Sequence, residues 1–431
     1  MKTVVMLAAC ICVGVCVAAQ ADLRAGVATV SITPLEENIP TPLGGYGARN
    51  GAPATAVLDT LNAKCLVFEW NGAKSALVTL DVCSVPLCLV EESLKKAAID
   101  GLTVENVLMS ASHSHTGLEG FAMDRRNIAG NPHIGVFSEP VLNFVTDRIA
   151  GGLKQAASSL QPVVASSGAV DLPGMNRNRR QDEFTDPGLT IVRLDAAGKP
   201  FAVFVNFTAH GTFVSEEEML VSGEWAGQMQ RTVEALIPGV TCFYTNGAEG
   251  DQSPVEPRAG SHYEQAGNYG RKIGIAAARL AETLNPEPVT QFNVAMQWVK
   301  LPPRQGAPDF VKIAGDEYHV TQEQLDQILP LMFPDQAPVY GLRINNFQLV
   351  SFPGEAICQL GLAVKDTMRK AGIAHPCVAG LTGDHVGYIL TADEYAQSGY
   401  EVTASFYGDG LGQILVDAAN TMANQIAQAA K

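Results

Sequence analysis

The 431-residue chain is 47% hydrophobic and 17% charged, with 29 basic and 44 acidic side chains and a formal net charge of −15. That is an ordinary globular composition, long enough for one large domain or two to three average ones. Its acidity, with no basic run to offset it, removes any electrostatic reason to seek nucleic acid or an anionic membrane surface.

The chain opens on an export signal. Lys2 supplies the positive start, residues 4–18 the apolar core, and Ala19-Gln20-Ala21 a small-x-small cleavage site before Asp22. The apolar run is short for a bilayer of roughly 30 Å, which argues against a membrane anchor. Leu7-Ala8-Ala9-Cys10 also fits a lipoprotein signal, but the apolar stretch before Cys10 is very short and continues beyond it, so cleavage near Ala21 is the preferred reading. The mature chain, 22–431, is expected to be exported (secreted or periplasmic) and soluble. Its six cysteines, Cys65, Cys83, Cys88, Cys242, Cys358 and Cys377, sit mostly in apolar runs and read as small buried hydrophobes.

Strands are predicted at 27–32, 65–70, 75–80, 106–110, 189–194, 202–207, 240–245 and 346–352, where short β-rich apolar runs recur. Helical patterns occupy 140–153, after the cap Ser138, then 269–284 and 411–429. Thr321-Gln322-Glu323-Gln324 is a capping box ahead of Leu325, Ile328 and Leu329. Proline clusters at 302–308 and 334–338 are possible breaks, neither long nor flexible enough for a domain boundary. The chain therefore reads as α/β, one continuous catalytic unit.

The chemistry gathers at strand ends. One apolar run enters Ser110-Ala111-Ser112-His113-Ser114-His115-Thr116-Gly117. On a strand, alternate side chains share a face, so both imidazoles can point one way, and imidazole is a favoured zinc ligand. The competing reading is a pair of surface histidines. A second apolar run ends in His210-Gly211-Thr212, and strand ends are where ligands collect in open α/β sheets. Glu355, after Pro353-Gly354, is the candidate carboxylate for a His/His/carboxylate site with a position left for water; its alternative is a first-turn glutamate favoured by a helix dipole. Glu249-Gly250-Asp251-Gln252-Ser253-Pro254 is either a pocket loop or a polar turn, and it lacks the Gly-x-Ser-x-Gly elbow of serine hydrolases. The Asn206 sequon lies within a strand and is discounted as a glycan site.

Taken in order, these segments resemble the neutral/alkaline non-lysosomal ceramidase family over nearly the whole mature chain. The resemblance rests on residues 25–34, Gly45-Tyr46-Gly47-Ala48-Arg49, Ser110 to Gly117, Asn176-Arg177, His210-Gly211-Thr212, Val221-Ser222-Gly223-Glu224, Glu249 to Pro254, Pro353-Gly354-Glu355 and the tyrosine-rich stretch from Gly387-Tyr388 to Tyr400-Glu401. It implies a mixed-sheet α/β catalytic domain of neutral ceramidase type. The implied activity is zinc-dependent cleavage of the N-acyl amide of ceramide or a related N-acylated lipid, without the family's carboxy-terminal immunoglobulin-like domain. One Zn2+ would be held by His113, His210, Glu355 and Tyr388. His115 would donate or accept protons, and Arg177 and Tyr400 would stabilise the oxyanion. Ser253 stands where the family's nucleophile is assigned. Zinc can bring the pKa of water to about 7, so attack by zinc-activated water is preferred and Ser253 is left to bind a substrate hydroxyl. The partners implied are a small acylated substrate and transient contact with lipid surfaces. His385 stands where a tyrosine is common, Glu224 replaces an aspartate, and Leu118-Glu119-Gly120 departs from a Gly/Pro-rich loop. Those departures keep open a hydrolase for another amide or ester, such as an acylated sugar, and a binding protein without turnover.

Overall fold

The computed structural model describes residues 22–180 and 182–428, so the expected export signal lies outside the described residues. A nine-stranded mixed sheet runs in the order Thr241–Asn246, Lys199–Phe207, Gly188–Ala196, Gln161–Asp171, Arg24–Ser31, Asn62–Trp70, Ala73–Leu80, Val107–Ala111, with Glu287–Pro288 added beside Gln161–Asp171. The pairs at the two ends are parallel and the interior pairs antiparallel. A second sheet of four strands, Phe292–Lys300, Gln336–Ile344, Phe347–Ser351 and His375–Ala379, packs against it.

Side-chain alternation sorts the core into layers. Leu66, Phe68, Leu77, Leu108 and Phe204 of the large sheet meet Leu342, Ile344, Phe347 and Leu349 of the small one. The intervening residues Cys65, Val67, Val78 and Met109 face the helices Leu87–Ala97 and Glu139–Ser158. Val203, Val205 and Cys242 face Glu224–Leu236 and His262–Thr283. On the far side of the small sheet, Val339, Val350 and Val378 pack on Cys358–Lys370 and Leu411–Gln428. The result is an α/β/β/α stack. Burial on both faces is why these strands read as nearly continuous apolar runs.

All eight predicted strands form, with ends displaced by a few residues. The expected capping box is present, with Thr321 and Gln324 exchanging side-chain bonds across the start of Gln322–Met332. The prolines at 334–338 do not interrupt the fold. Pro338 lies within Gln336–Ile344, ahead of the point, Gly341, where that strand takes its second neighbour, so its missing N–H is not needed there. The six cysteines are unpaired and all but Cys88 are buried. Asn206 is fully buried and its amide is spent on Thr245 and Val378. No described helix is long and apolar enough to cross a membrane.

Candidate metal centre and its two cavities

Three strand ends and one crossover deliver the polar cluster. The strand Val107–Ala111 stops two residues before His113, which takes a left-handed backbone, φ 64°. The two imidazoles therefore do not share a strand face, as the alternation had suggested. The kink turns them toward each other, with Nε2 atoms 3.2 Å apart. His210 follows Lys199–Phe207. Asn246, at the end of the neighbouring strand, donates to Ser112 O at 3.3 Å and Ala209 O at 2.8 Å, tying together the backbones that precede both histidines. A bridge between Ser114 and Gly211 fixes the loops beyond them. Glu355 is not in the first turn of a helix. It lies in the short strand Glu355–Ala356, paired in parallel with Tyr388–Ile389, and the helix begins at Cys358.

The donor chemistry tests whether the cluster suits a cation. His113 Nδ1 is 2.8 Å from Cys83 O, and His210 Nδ1 is 2.7 Å from Glu249 O. Carbonyls only accept, so each Nδ1 carries the proton and each Nε2 of a neutral ring presents a lone pair. Both Nε2 atoms face one oxygen, Glu355 Oε2, at 3.3 and 3.2 Å. Three acceptors converge, and only a shared proton or a cation reconciles them. Two imidazoles oriented by backbone carbonyls plus a carboxylate match the ligand set of a catalytic zinc site. The phenol oxygen of Tyr388 lies 3.3 Å from His210 Nε2 and accepts from Arg179 Nη2 at 2.8 Å. Cys83, His113 and His115 form a second group of possible ligands. It fits less well, because burial pushes the Cys83 thiol up, keeping it protonated, and its sulfur faces the Nδ1 already bonded to a carbonyl.

Burial opposes charge throughout the cluster. It lowers His210 to about 4, with Arg179 adding to the effect. His115 is pushed well below its ordinary value by burial and by His113 and His210. Glu355 and His113 are the exceptions: burial opposes both charges, but Glu355 and Cys83 outweigh it at His113 and raise that ring well above its ordinary value, while His113 and His210 hold the Glu355 carboxyl well below the usual range, the pattern of a shared proton in the metal-free cluster. Burial lifts the carboxyls of the nearby Glu224 and Glu249 to about 8.

The loop around Tyr46 supports His115. The Tyr46 ring meets the His115 ring edge-on at 4.8 Å, and its hydroxyl donates to Val214 O at 3.0 Å. Arg49 is buried against backbone oxygens, donating to Gly44 O at 2.7 Å, Ser215 O at 3.1 Å and the carbonyl of His115. At Gly45, φ is 86° and an added Cβ would sit 2.2 Å from His115 Nδ1. Gly45→Ala is therefore expected to cost about 1–3 kcal/mol through strain and displacement of the imidazole. Thermal denaturation reads this directly, and an unchanged Tm would show that the loop yields freely.

Two cavities meet at Tyr46. The first contains His113, His115, Glu355, Tyr388, Tyr400 and His385 at its floor and sides. Phe310, Val320, Leu325, Ile328, Leu329, Met332 and Phe333 form its apolar wall. That wall is built by the excursion between Phe292–Lys300 and Gln336–Ile344, whose sequence showed only its prolines and its capping box. Tyr400 reaches across to Tyr318, hydroxyl to hydroxyl at 3.2 Å. Arg177 and Ser253 are register partners in the two short strands Asn176–Asn178 and Gln252–Pro254, and both line the second, polar cavity. The arginine brought against the ligand cluster is Arg179, which also pairs with Glu401 at 2.7 Å. The resemblance through Asn176-Arg177 had pointed to Arg177, and nothing local in the group Arg177, Arg179 and Arg180 distinguishes the one that reaches the cluster. Asn246 was equally silent, a polar residue at the end of an apolar strand.

The fold and cluster define an α/β protein with a buried His/His/Glu set suited to a metal ion. No family model matches the chain. A neutral ceramidase of Pseudomonas aeruginosa is 23% identical over 73% of this chain and 58% of its own length. One from Mycobacterium tuberculosis is 22% identical over 84% of this chain and 71% of its own. Neutral ceramidase B of Dictyostelium discoideum is 23% identical over 80% and 64% respectively. The crystal structure of the P. aeruginosa neutral ceramidase superposes with a TM-score of 0.78 at 20% identity, covering 95% of this chain and 75% of that one. A ceramidase complexed with C2 gives a TM-score of 0.75 at 19% identity. The chain is thus similar to neutral ceramidases along most of its length, and the sequence matches span less than two thirds of the P. aeruginosa and D. discoideum proteins.

Proposed function

We propose that this protein is a metal-dependent hydrolase of N-acyl amides with a long acyl chain, of which ceramide is one. The observation that carries the reading is the convergence of His113, His210 and Glu355, with His113 and Glu355 opening onto a cleft walled by large apolar side chains. The kinship with neutral ceramidases supports the amide as the bond cleaved. The apolar wall supports a lipid substrate over an acylated sugar, because an alkyl chain gains about 0.8 kcal/mol per buried CH2. Zinc held by His113, His210, Glu355 and Tyr388 would supply Lewis acidity, polarising a carbonyl and acidifying water to a pKa of about 7.

The remaining roles belong to the chain's own groups. His115 lines the cavity beside His113 and has a buried Nδ1 with no partner among the described residues, and it is assigned the proton transfer at the start of the reaction. The Tyr400 hydroxyl, oriented by Tyr318, is a donor for negative charge developing on the carbonyl oxygen. The acyl chain lies along Leu325, Leu329 and Phe333. Water supplies the oxygen that joins the carbonyl carbon, the C–N bond breaks, and the amine leaves with a proton. Arg177 and Ser253 contact the polar portion of the substrate.

Ser253→Ala separates this route from an acyl-enzyme. Turnover is expected to fall by no more than about tenfold, the weight of one hydrogen bond, with no adduct in rapidly quenched wild type by mass spectrometry. A trapped acyl group on Ser253, with the variant as inactive as a ligand variant, would make the serine the nucleophile.

A further inference from the structure

Tyr46 lines both cavities, with its ring against His115 and its hydroxyl on Val214 O, so it stands as a partition between an apolar chamber and a polar one. A ceramide presents an alkyl chain on each side of its amide. Here one side is predominantly apolar and the other mixed, with Phe213, Val214 and Pro254 among charged and polar side chains. The other chamber is lined by Arg177, Arg258, His262, Gln265, Thr212 and Ser253 among others. His262 is paired with Glu218 at 2.6 Å, and Glu256 with Lys272 at 2.7 Å. Arg177 and Arg258 have no ion-pair partner among the described residues, and Glu216 is the one lining carboxylate without a cation. Two guanidinium groups without an acidic partner therefore face the chamber, beside the unpaired carboxylate of Glu216. The start of the 22-residue helix His262–Thr283 borders the same space through His262 and Gln265, its first turn closed by the Ser261–Glu264 capping box.

We propose that the polar chamber binds an anionic group on the leaving amine. The preferred substrates are then N-acyl amines carrying a carboxylate or another oxyanion close to the amide, with the acyl chain in the apolar chamber. This rests on the reading of the site as an N-acyl amide hydrolase and narrows its substrate class. The guanidinium fork matches an oxyanion in charge and hydrogen-bond geometry. A sphingoid chain there would meet Phe213, Val214 and Pro254 but would also cover Arg177, Arg258 and Glu216, gaining less apolar contact than the acyl chain does on the other side. The chemistry is a hydrolysis: water adds its oxygen to the acyl carbon, the C–N bond breaks, and the products are a fatty acid and a free anionic amine.

The test uses the full chain loaded with zinc and measures fatty-acid release from four palmitoyl amides: N-palmitoylglycine, N-palmitoyltaurine, N-palmitoylethanolamine and the C16 ceramide. For the carboxylate or the sulfonate, kcat/KM is expected to exceed that for the neutral ethanolamide by about tenfold or more, the scale of one charge-assisted hydrogen bond. The better of the two names the anion. Arg258→Gln is expected to shrink that preference at least about fivefold, chiefly through KM. Equal or better turnover of the ethanolamide or the ceramide overturns the inference and leaves the amidase reading standing. A preference that Arg258→Gln leaves intact also overturns it. Cleavage of none of the four amides overturns both.

Discussion

Replacing His113 or His210 by alanine is expected to abolish stable metal binding and to lower turnover by more than about 100-fold. The scale follows from comparison: losing a group that merely orients a ligand typically costs 10–100-fold in affinity or activity, and each of these substitutions removes a ligand itself. The two rings are equivalent in construction, each with Nδ1 fixed by a carbonyl and Nε2 aimed at Glu355 Oε2. The two variants should therefore fail alike. Both should stay folded, because the apolar layers on either side of the sheets do not depend on these rings. Elemental analysis and circular dichroism on the same preparations read the two parts. Full zinc content in either variant would show that the ring is not a ligand.

Arg179→Ala is expected to lower stability by about 2–3 kcal/mol and to weaken metal binding about 10–100-fold. The guanidinium joins three partners: Glu401 at 2.7 Å, Tyr388 at 2.8 Å and Gly250 O at 2.8 Å. Removing one partner of a buried ion pair typically costs 3–5 kcal/mol. The loss should be smaller here because Glu401 keeps Arg180 at 2.8 Å and Arg179 retains some solvent contact. Metal binding weakens because Tyr388 loses the cation that orients its oxygen. Arg179→Lys should recover part of the stability but not the affinity, since one ammonium cannot reproduce the fork that spans Glu401 and Tyr388. Full recovery of metal affinity in the lysine variant would reduce the role of Arg179 to a point charge.

Seven strands of the large sheet were legible in the sequence because most of them are largely buried and so announce themselves as apolar runs, whereas Gln161–Asp171, most of whose residues are exposed or half-buried, was not. Phe292–Lys300 was not, since most of it is half-buried and it carries Asn293 and Gln297 at positions a strand would otherwise fill with apolar residues. Gln336–Ile344 was hidden by Pro338. The three residues that converge at the cluster could be singled out from local pattern, two histidines at strand ends and a glutamate after a Pro-Gly turn. What local pattern could not supply was the long-range wiring: the left-handed turn at His113, the Asn246 tie between the two histidine loops, and the choice of Arg179 over Arg177. Each depends on contacts between segments more than 60 residues apart in one case and more than 130 in another, as for Arg179 with Gly250 and Asn246 with Ser112. The partition at Tyr46 was equally out of reach, because it exists only where the 45–49 loop and the 211–218 loop meet.

The most direct test of the central claim is the metal content of the purified chain, measured alongside fatty-acid release from an N-palmitoyl amide before and after chelation. The account predicts about one zinc per chain, loss of hydrolysis on its removal, and recovery when zinc is returned. A chain that hydrolyses the amide at full rate with no metal bound would contradict it.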